Sequence, residues 1–358
     1  MAWRNRAAQV FLAVALTACA HPTNPTTSPT TGLPQRVGAA PQVARTGASQ
    51  SSAPASTAID AFRLQELFKR LTDLSFMTQL GPEMIVRKIT YSGEDKLPIP
   101  AYFFSPKDTL RAHAALIFVH DGIHSDLSDI YIPHIRSLVR EGYVIIAPEY
   151  RGSTGYGKDF YDAIDYGGKE VGDVLAARTY LRELVPYADL NRLGIIGWSH
   201  GGFITLHSVF QRPKLFKAAV AHVPVADLPA RIRTHTPDYE KIFSAQPAFG
   251  GTFLQRPQPY IQRSPSTHVR ELETPLLVHA ASNDNDVFIV ENRILRDSMI
   301  AAGKDRAGLY HYKEYQDPPG GHSFNRIQTR EGVESWNETL AFLRGYLSPW
   351  KTTRIGGK

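Results

Sequence analysis

Five short apolar runs constrain the fold more than any other feature of the chain: AALIFVH (114–120), YVIIAPEY (143–150), LGIIG (193–197), AAVAHV (218–223) and PLLVHA (275–280). Near-continuous apolar runs of this length are how strands buried on both faces of a parallel sheet read. Helical patterns separate them: YIPHIRSLVREG (131–142), KEVGDVLAARTYLREL (169–184), GGFITLHSVF (201–210) and FIVENRILRDSMIAAG (288–303). A last one, WNETLAFLRGYL, occupies 336–347. MIVRKITY (84–91) and IPAYFF (99–104) add strands before the first run, and LYHYKEY (309–315) adds one after the last. The alternation predicts a doubly wound α/β sheet of about eight mostly parallel strands, helices on both faces, in one domain over residues 85–348 with a tail at 349–358.

What precedes the domain is different in kind. Residues 1–18 join a basic start carrying Arg4 and Arg6 to an apolar run too short to cross a bilayer, and they end in small residues. That layout predicts a secretory signal peptide. Leu16-Thr17-Ala18-Cys19 also resembles the lipobox of bacterial lipoproteins, in which the cysteine becomes an acylated first residue. Cys19 is the only cysteine, so no intramolecular disulfide can form. Residues 19–58, rich in Pro, Thr, Ser, Ala and Gly, cannot bury enough surface to offset their ordering entropy and read as a disordered tether. The expectation is an exported protein of the bacterial cell envelope, an outer-membrane or periplasm-facing lipoprotein held to the membrane through Cys19. A plain signal peptide with an incidental cysteine is the alternative. Residues 59–84 read as a helical extension whose Phe62, Leu64, Leu67, Phe68 and Leu71 pack on the domain. The net charge of +6 is spread along the chain without a basic block, which argues against a nucleic-acid partner.

The chemistry is carried by Gly197-Trp198-Ser199-His200-Gly201-Gly202. Gly-x-Ser-x-Gly between an apolar strand and an apolar helix is a strand–turn–helix elbow, in which glycines let the two elements approach closely around an exposed serine. It also sets the amide of His200 at a helix N-terminus, where unpaired N–H groups can receive an oxyanion. A serine hydroxyl needs a base, and the base an orienting acid, in the chain order Ser, acid, His. Asp284 and Asp286 follow one strand and Asp227 follows an earlier one. Of thirteen histidines, His322 is the one on a loop after the last strand and ahead of a helix; His113, His207 and His311 read as structural. No His-Glu-x-x-His or similar spacing points to a metal, and the chemistry calls for no cofactor.

These residues resemble the catalytic domain of the prolyl oligopeptidase family, serine peptidase family S9, within the α/β-hydrolase superfamily. The resemblance runs from Leu97 to Leu347: Tyr150-Arg151-Gly152-Ser153-Thr154-Gly155-Tyr156-Gly157, Asp173, the elbow, Pro213 to Ala218, Tyr260 to Pro265, an acid loop from His279 to Val287, and Gly321-His322-Ser323-Phe324. Counting back from Val287, it implies Asp284 as the catalytic acid. Where family members carry His-Gly-Gly-Pro, this chain has His120-Asp121-Gly122-Ile123, which implies the Gly122 amide as the second oxyanion donor, with Asp121 a departure. Residues 20–84 have no room for the family's β-propeller, and Leu228 to Gln262 reads as a small cap insert. The resemblance implies a Ser199–Asp284–His322 triad and a peptidase acting on small peptides or acyl-peptides. A carboxylic ester hydrolase with the same machinery, and a non-catalytic binding protein on the same scaffold, are the competing readings.

Overall fold

The computed structural model describes residues 60–349 together with Lys351 and Arg354. The expected leader, Cys19 and tether lie outside the described residues. Eight strands form one sheet: β1 (Ile85–Ser92), β2 (Pro98–Ser105), β3 (His113–Val119), β4 (Val144–Pro148), β5 (Ala188–Trp198), β6 (Ala218–His222), β7 (Leu276–Ala281) and β8 (Tyr310–Tyr315). Their order is β1-β2-β4-β3-β5-β6-β7-β8. β1–β2 and β2–β4 pair antiparallel, and the other pairs are parallel. Every residue of β3, β4, β6 and β7 is buried, the physical meaning of their unbroken apolar runs. This is the doubly wound sheet that the alternation predicts, in the α/β-hydrolase arrangement that the resemblance implies.

The helices are α1 (Ala61–Leu80), α2 (Ile132–Arg140), α3 (Lys158–Asp162), α4 (Lys169–Leu184), α5 (His200–Gln211), α6 (Leu228–Thr234), α7 (Pro237–Ser244), α8 (Pro257–Gln262), α9 (Ile289–Ala301) and α10 (Arg330–Leu347). Two apolar layers sandwich the sheet. Side chains of α4, α5 and α9 fill one, with Val174, Phe203 and Leu295; those of α1, α2 and α10 fill the other, with Phe76, Leu138 and Leu343. The cap insert is helical, built from α6, α7 and α8. Asp227 caps α6, taking the Ala230 amide at 2.8 Å and the Ser266 hydroxyl at 2.7 Å, so its carboxylate is committed to the cap.

Two expectations are corrected. α10 starts at Arg330, ahead of the predicted 336, because Thr329 caps the Gly332 amide at 3.1 Å. The second concerns the face of α1. Phe68, Leu71 and Leu74 are 58%, 62% and 58% exposed, and Leu64 and Leu67 are exposed with them. The inward face instead carries Phe76, Leu80 and the buried Lys69. Lys69 Nζ reaches Asp126 at 2.7 Å and the Leu127 carbonyl at 2.9 Å, and also contacts Glu149. The inward face of α1 thus joins two fully buried apolar side chains to a buried ion pair, while the stripe from Leu64 to Leu74 faces outward.

Candidate active site

Ser199 stands between β5 and α5 with φ 53° and ψ −116°, a left-handed backbone that a non-glycine residue holds only under strain. Two backbone bonds pin it: its amide donates to His222 O at 2.9 Å, and its carbonyl accepts from the Phe203 amide at 2.9 Å. The glycines around it have no room for side chains. A Cβ on Gly197 would overlap the carbonyl of Gly201, one on Gly201 the carbonyls of Val119 and His120, and one on Gly202 would lie 2.8 Å from Pro224 Cβ. Ser199 Oγ makes no hydrogen bond to a described residue, and it lines a cavity of about 340 Å³.

His322 lies in the turn of 3₁₀ helix Gly321–Arg326 that follows β8. Its Nδ1 is 2.7 Å from Asp284 Oδ2. The other Asp284 oxygen accepts the amides of Asp286 and Val287 at 2.9 and 2.8 Å, which fixes the carboxylate and aims Oδ2 at the imidazole. The orienting bond therefore goes to Asp284 and not to Asp286. Nε2 of His322 lies 3.7 Å from Asp286 Oδ2, at the edge of the cavity that Ser199 lines. No hydrogen bond joins His322 and Ser199 among the described residues.

Gly122 and His200 line the same cavity. The His200 amide begins α5 and so lacks an intrahelical acceptor. The Gly122 amide has no acceptor among the described residues, and Gly122 takes φ 65° with Ser125 Cβ 2.7 Å from where a Cβ would stand. The His120–Leu127 loop is anchored from below. Tyr150 Oη bonds the carbonyl of Gly122 and stacks its ring on His120 at 4.4 Å. His120 Nε2 is 3.2 Å from buried Glu149, which Lys69 also contacts. Burial pushes the Glu149 carboxyl up, but Lys69 and His120 outweigh it and hold it at about 2.

Asp121, the departure from the family pattern, turns away from the cavity. It accepts from Tyr131 Oη at 3.0 Å and pairs with the Arg326 guanidinium. Burial opposes its ionisation, yet Arg326, His120 and Tyr131 together hold the carboxyl below its usual range. Its charge is neutralised there and does not face the cavity. The His200 ring packs against Tyr166 and Phe203, and burial drives it well below the ordinary imidazole range, so it is neutral. Among the described residues no cluster of three or more His, Cys, Asp or Glu side chains is placed to hold a metal ion.

The cap supplies side chains to which the sequence reading gave no role at the site. Arg231 of α6, buried, lines the cavity with Tyr239 and Ile242 of α7. Arg231 Nη2 is 2.8 Å from Asp286 Oδ1, Nη1 is 3.0 Å from Glu291 Oε1, and Nε donates to Tyr239 Oη at 2.6 Å. Tyr150, Lys69 and Glu149 went equally unmarked as supports of the Gly122 loop. Tyr150 and Glu149 do sit at the end of an apolar run, where a charge in a buried strand exit was the available signal.

Residues 131–349 match the sequence model of the prolyl oligopeptidase family. Acylamino-acid-releasing enzyme 1 of Oryza sativa subsp. japonica is 29% identical over 202 residues, 53% of this chain and 25% of that protein. The uncharacterized peptidase YuxL of Bacillus subtilis (strain 168) is 27% identical over 257 residues, 70% of this chain and 38% of that protein. A puromycin-hydrolyzing peptidase of Mycobacterium tuberculosis is 25% identical with a TM-score of 0.61, covering 74% of this chain and 39% of the other. An acylaminoacyl peptidase solved with Z-Gly-Gly-Phe-chloromethyl ketone shares the fold with a TM-score of 0.65 at 20% identity, over 76% of this chain and 43% of that one. The chain spans less than half the length of each of these proteins. With well over half of its residues matched, the chain belongs to the prolyl oligopeptidase family of peptidases.

Proposed function

We propose that the chain is a serine peptidase acting on small peptides or acyl-peptides, with Ser199 as nucleophile, His322 as general base and Asp284 as its orienting acid. The observation that carries this reading is the 2.7 Å bond from His322 Nδ1 to an Asp284 carboxylate pinned by two amides, next to a serine strained onto the elbow. With Nδ1 committed, Nε2 is the nitrogen left to take the hydroxyl proton. Resting hydrolases often hold this last contact long and tighten it when substrate arrives.

As Ser199 Oγ bonds to the carbonyl carbon, its proton passes to His322 Nε2, and the carbonyl π electrons move onto oxygen. That anion meets the amides of His200 and Gly122; loss of one such donor typically costs about 3–4 kcal/mol of transition-state stabilisation. The intermediate collapses by breaking the carbon–nitrogen bond, and Nε2 returns the proton to the leaving amine. Water then attacks the acyl-enzyme, Nε2 takes its proton, and the proton returns to Ser199 as the acid leaves.

The names of an acylamino-acid-releasing enzyme and a puromycin-hydrolyzing peptidase among its relatives support an amide as the scissile bond. Matched p-nitroanilide and p-nitrophenyl substrates test it. Sustained amide cleavage is expected; cleavage of the ester alone assigns the chain to the ester hydrolases. A fluorophosphonate probe that fails to label the chain at Ser199 assigns it to non-catalytic binding.

A further inference from the structure

The cavity at Ser199 has an uneven charge. Among its lining residues Arg231 and Asp286 are the two ionic ones, since burial pushes both His124 and His200 below the ordinary imidazole range. The positive charge of Arg231 is fully engaged. Its guanidinium holds Asp286 Oδ1 at 2.8 Å, the Asp286 carbonyl at 3.0 Å, Glu291 Oε1 at 3.0 Å and the Tyr239 hydroxyl at 2.6 Å. One guanidinium thus serves two carboxylates, and a negative charge is left over once both are ionised.

The surplus is placed where a substrate would meet it. Glu291 is buried beneath the guanidinium, whereas the Asp286 side chain is 52% exposed. Asp286 Oδ1 is held by Arg231, but Oδ2 accepts no hydrogen bond from a described residue. His322 Nε2 lies 3.7 Å from it. A carboxylate needed only to brace the cap would be satisfied through Oδ1. Asp286 lines the cavity together with an apolar stretch of wall from Ile123, Val225 and Ile242. An aliphatic or aromatic group can fill that wall while a cation reaches the free oxygen, and a charge-assisted hydrogen bond of this kind discriminates against a neutral isostere that leaves the carboxylate unpaired.

We infer that Asp286 makes the cavity selective for substrates bearing a positively charged nitrogen on the acyl side of the scissile bond. The nitrogen is either a free α-amine or the side chain of a lysine-like residue. The inference rests on the serine-peptidase reading only for which bond is broken; the charge preference belongs to the cavity and is measurable without turnover.

The test uses the full chain carrying Ser199→Ala, titrated calorimetrically at pH 8, where Glu291, pushed up to about 7 by burial, is ionised. Two peptide pairs are compared, lysyl against norleucyl with blocked amines, and free-amine alanyl against N-acetylalanyl. The charged member of at least one pair should bind about 10-fold more tightly, and the pair that responds identifies the source of the charge. Adding Asp286→Asn should erase the difference, and Asp286→Glu should keep it; unchanged thermal melting of both variants shows that the cap is intact. Equal affinities within both pairs, no binding of any peptide, or a preference that survives Asp286→Asn would overturn the proposal. Absent fluorophosphonate labelling of the unmodified chain would sink the peptidase reading and leave this one standing.

Discussion

Of the fully buried glutamates around the candidate site, one lies beneath each of the loops that flank Ser199, and these two are held in opposite ways. Glu149, under the Gly122 loop, has Lys69 and His120 as partners, and they keep its carboxyl at about 2 against the pull of burial. Glu291, under the acid loop, shares Arg231 with Asp286, and burial wins, raising it to about 7. The Gly122 loop, whose amide we propose receives an oxyanion, sits on a saturated ion cluster. The loop beside the cap sits on an undersupplied one, and its spare charge is the part that lines the cavity. Fixed geometry and selectivity are thus assigned to different sides of one serine.

The largest test lies at the junction of the two sides. Ser199→Ala or His322→Ala should each lower kcat by about 10⁴–10⁶-fold on a p-nitroanilide. Activity within tenfold of the parent would mean that the chemistry happens elsewhere. Next come the two clusters. Lys69→Met strands an ionised Glu149 in the core and should reduce unfolding free energy by about 3–5 kcal/mol in urea titration. Arg231→Met strands a glutamate already disposed to take a proton, and the loss should be roughly half as large. Equal losses would erase the contrast.

Acidity sharpens the same contrast. Glu291 is protonated in the folded chain but ionised in the unfolded one between its unfolded value of 4.5 and about 7, so its contribution to stability falls as pH rises through that window. Glu149 behaves in the reverse sense, its contribution fading as pH drops below 4.5 toward about 2. Glu291→Gln should therefore flatten the stability profile between pH 5 and 7 by roughly 1–3 kcal/mol, judged by denaturation at each pH. Glu170, also raised to about 7 by burial, leaves a residual slope of the same sign. The smallest effect is expected from Tyr150→Phe. It removes the hydroxyl beneath the Gly122 carbonyl and should slow amide cleavage by about fivefold, a loss of about 1 kcal/mol, with fluorophosphonate labelling retained.

Most of the architecture was legible because burial on both faces leaves a plain mark: all-apolar runs became β3, β4, β6 and β7. The elbow glycines were legible for a steric reason that spacing alone conveys, and the family resemblance, counted back from Val287, marked Asp284, the carboxylate that His322 meets in the structure. The supports were not. Lys69 lies inside an apolar helical pattern, and nothing local reveals that its charge meets Glu149, which is 80 positions away in the chain. In α1 the face that carries this ion pair, with Phe76 and Leu80, is inward, and the apolar stripe from Leu64 to Leu74 is exposed. Arg231 and Asp286 are ordinary charged residues until the cap folds over the acid loop.

α1 therefore has a say in what counts as the working unit. The family match begins at residue 131, and the first strand at Ile85, so either boundary looks like a natural place to cut. Trimming there would discard the ammonium that neutralises the carboxylate under the Gly122 turn. The shortened protein would keep Ser199, Asp284 and His322 while losing the footing of the Gly122 turn. A shortened chain made to test the proposed activity should begin no later than Asp60, the residue that caps α1.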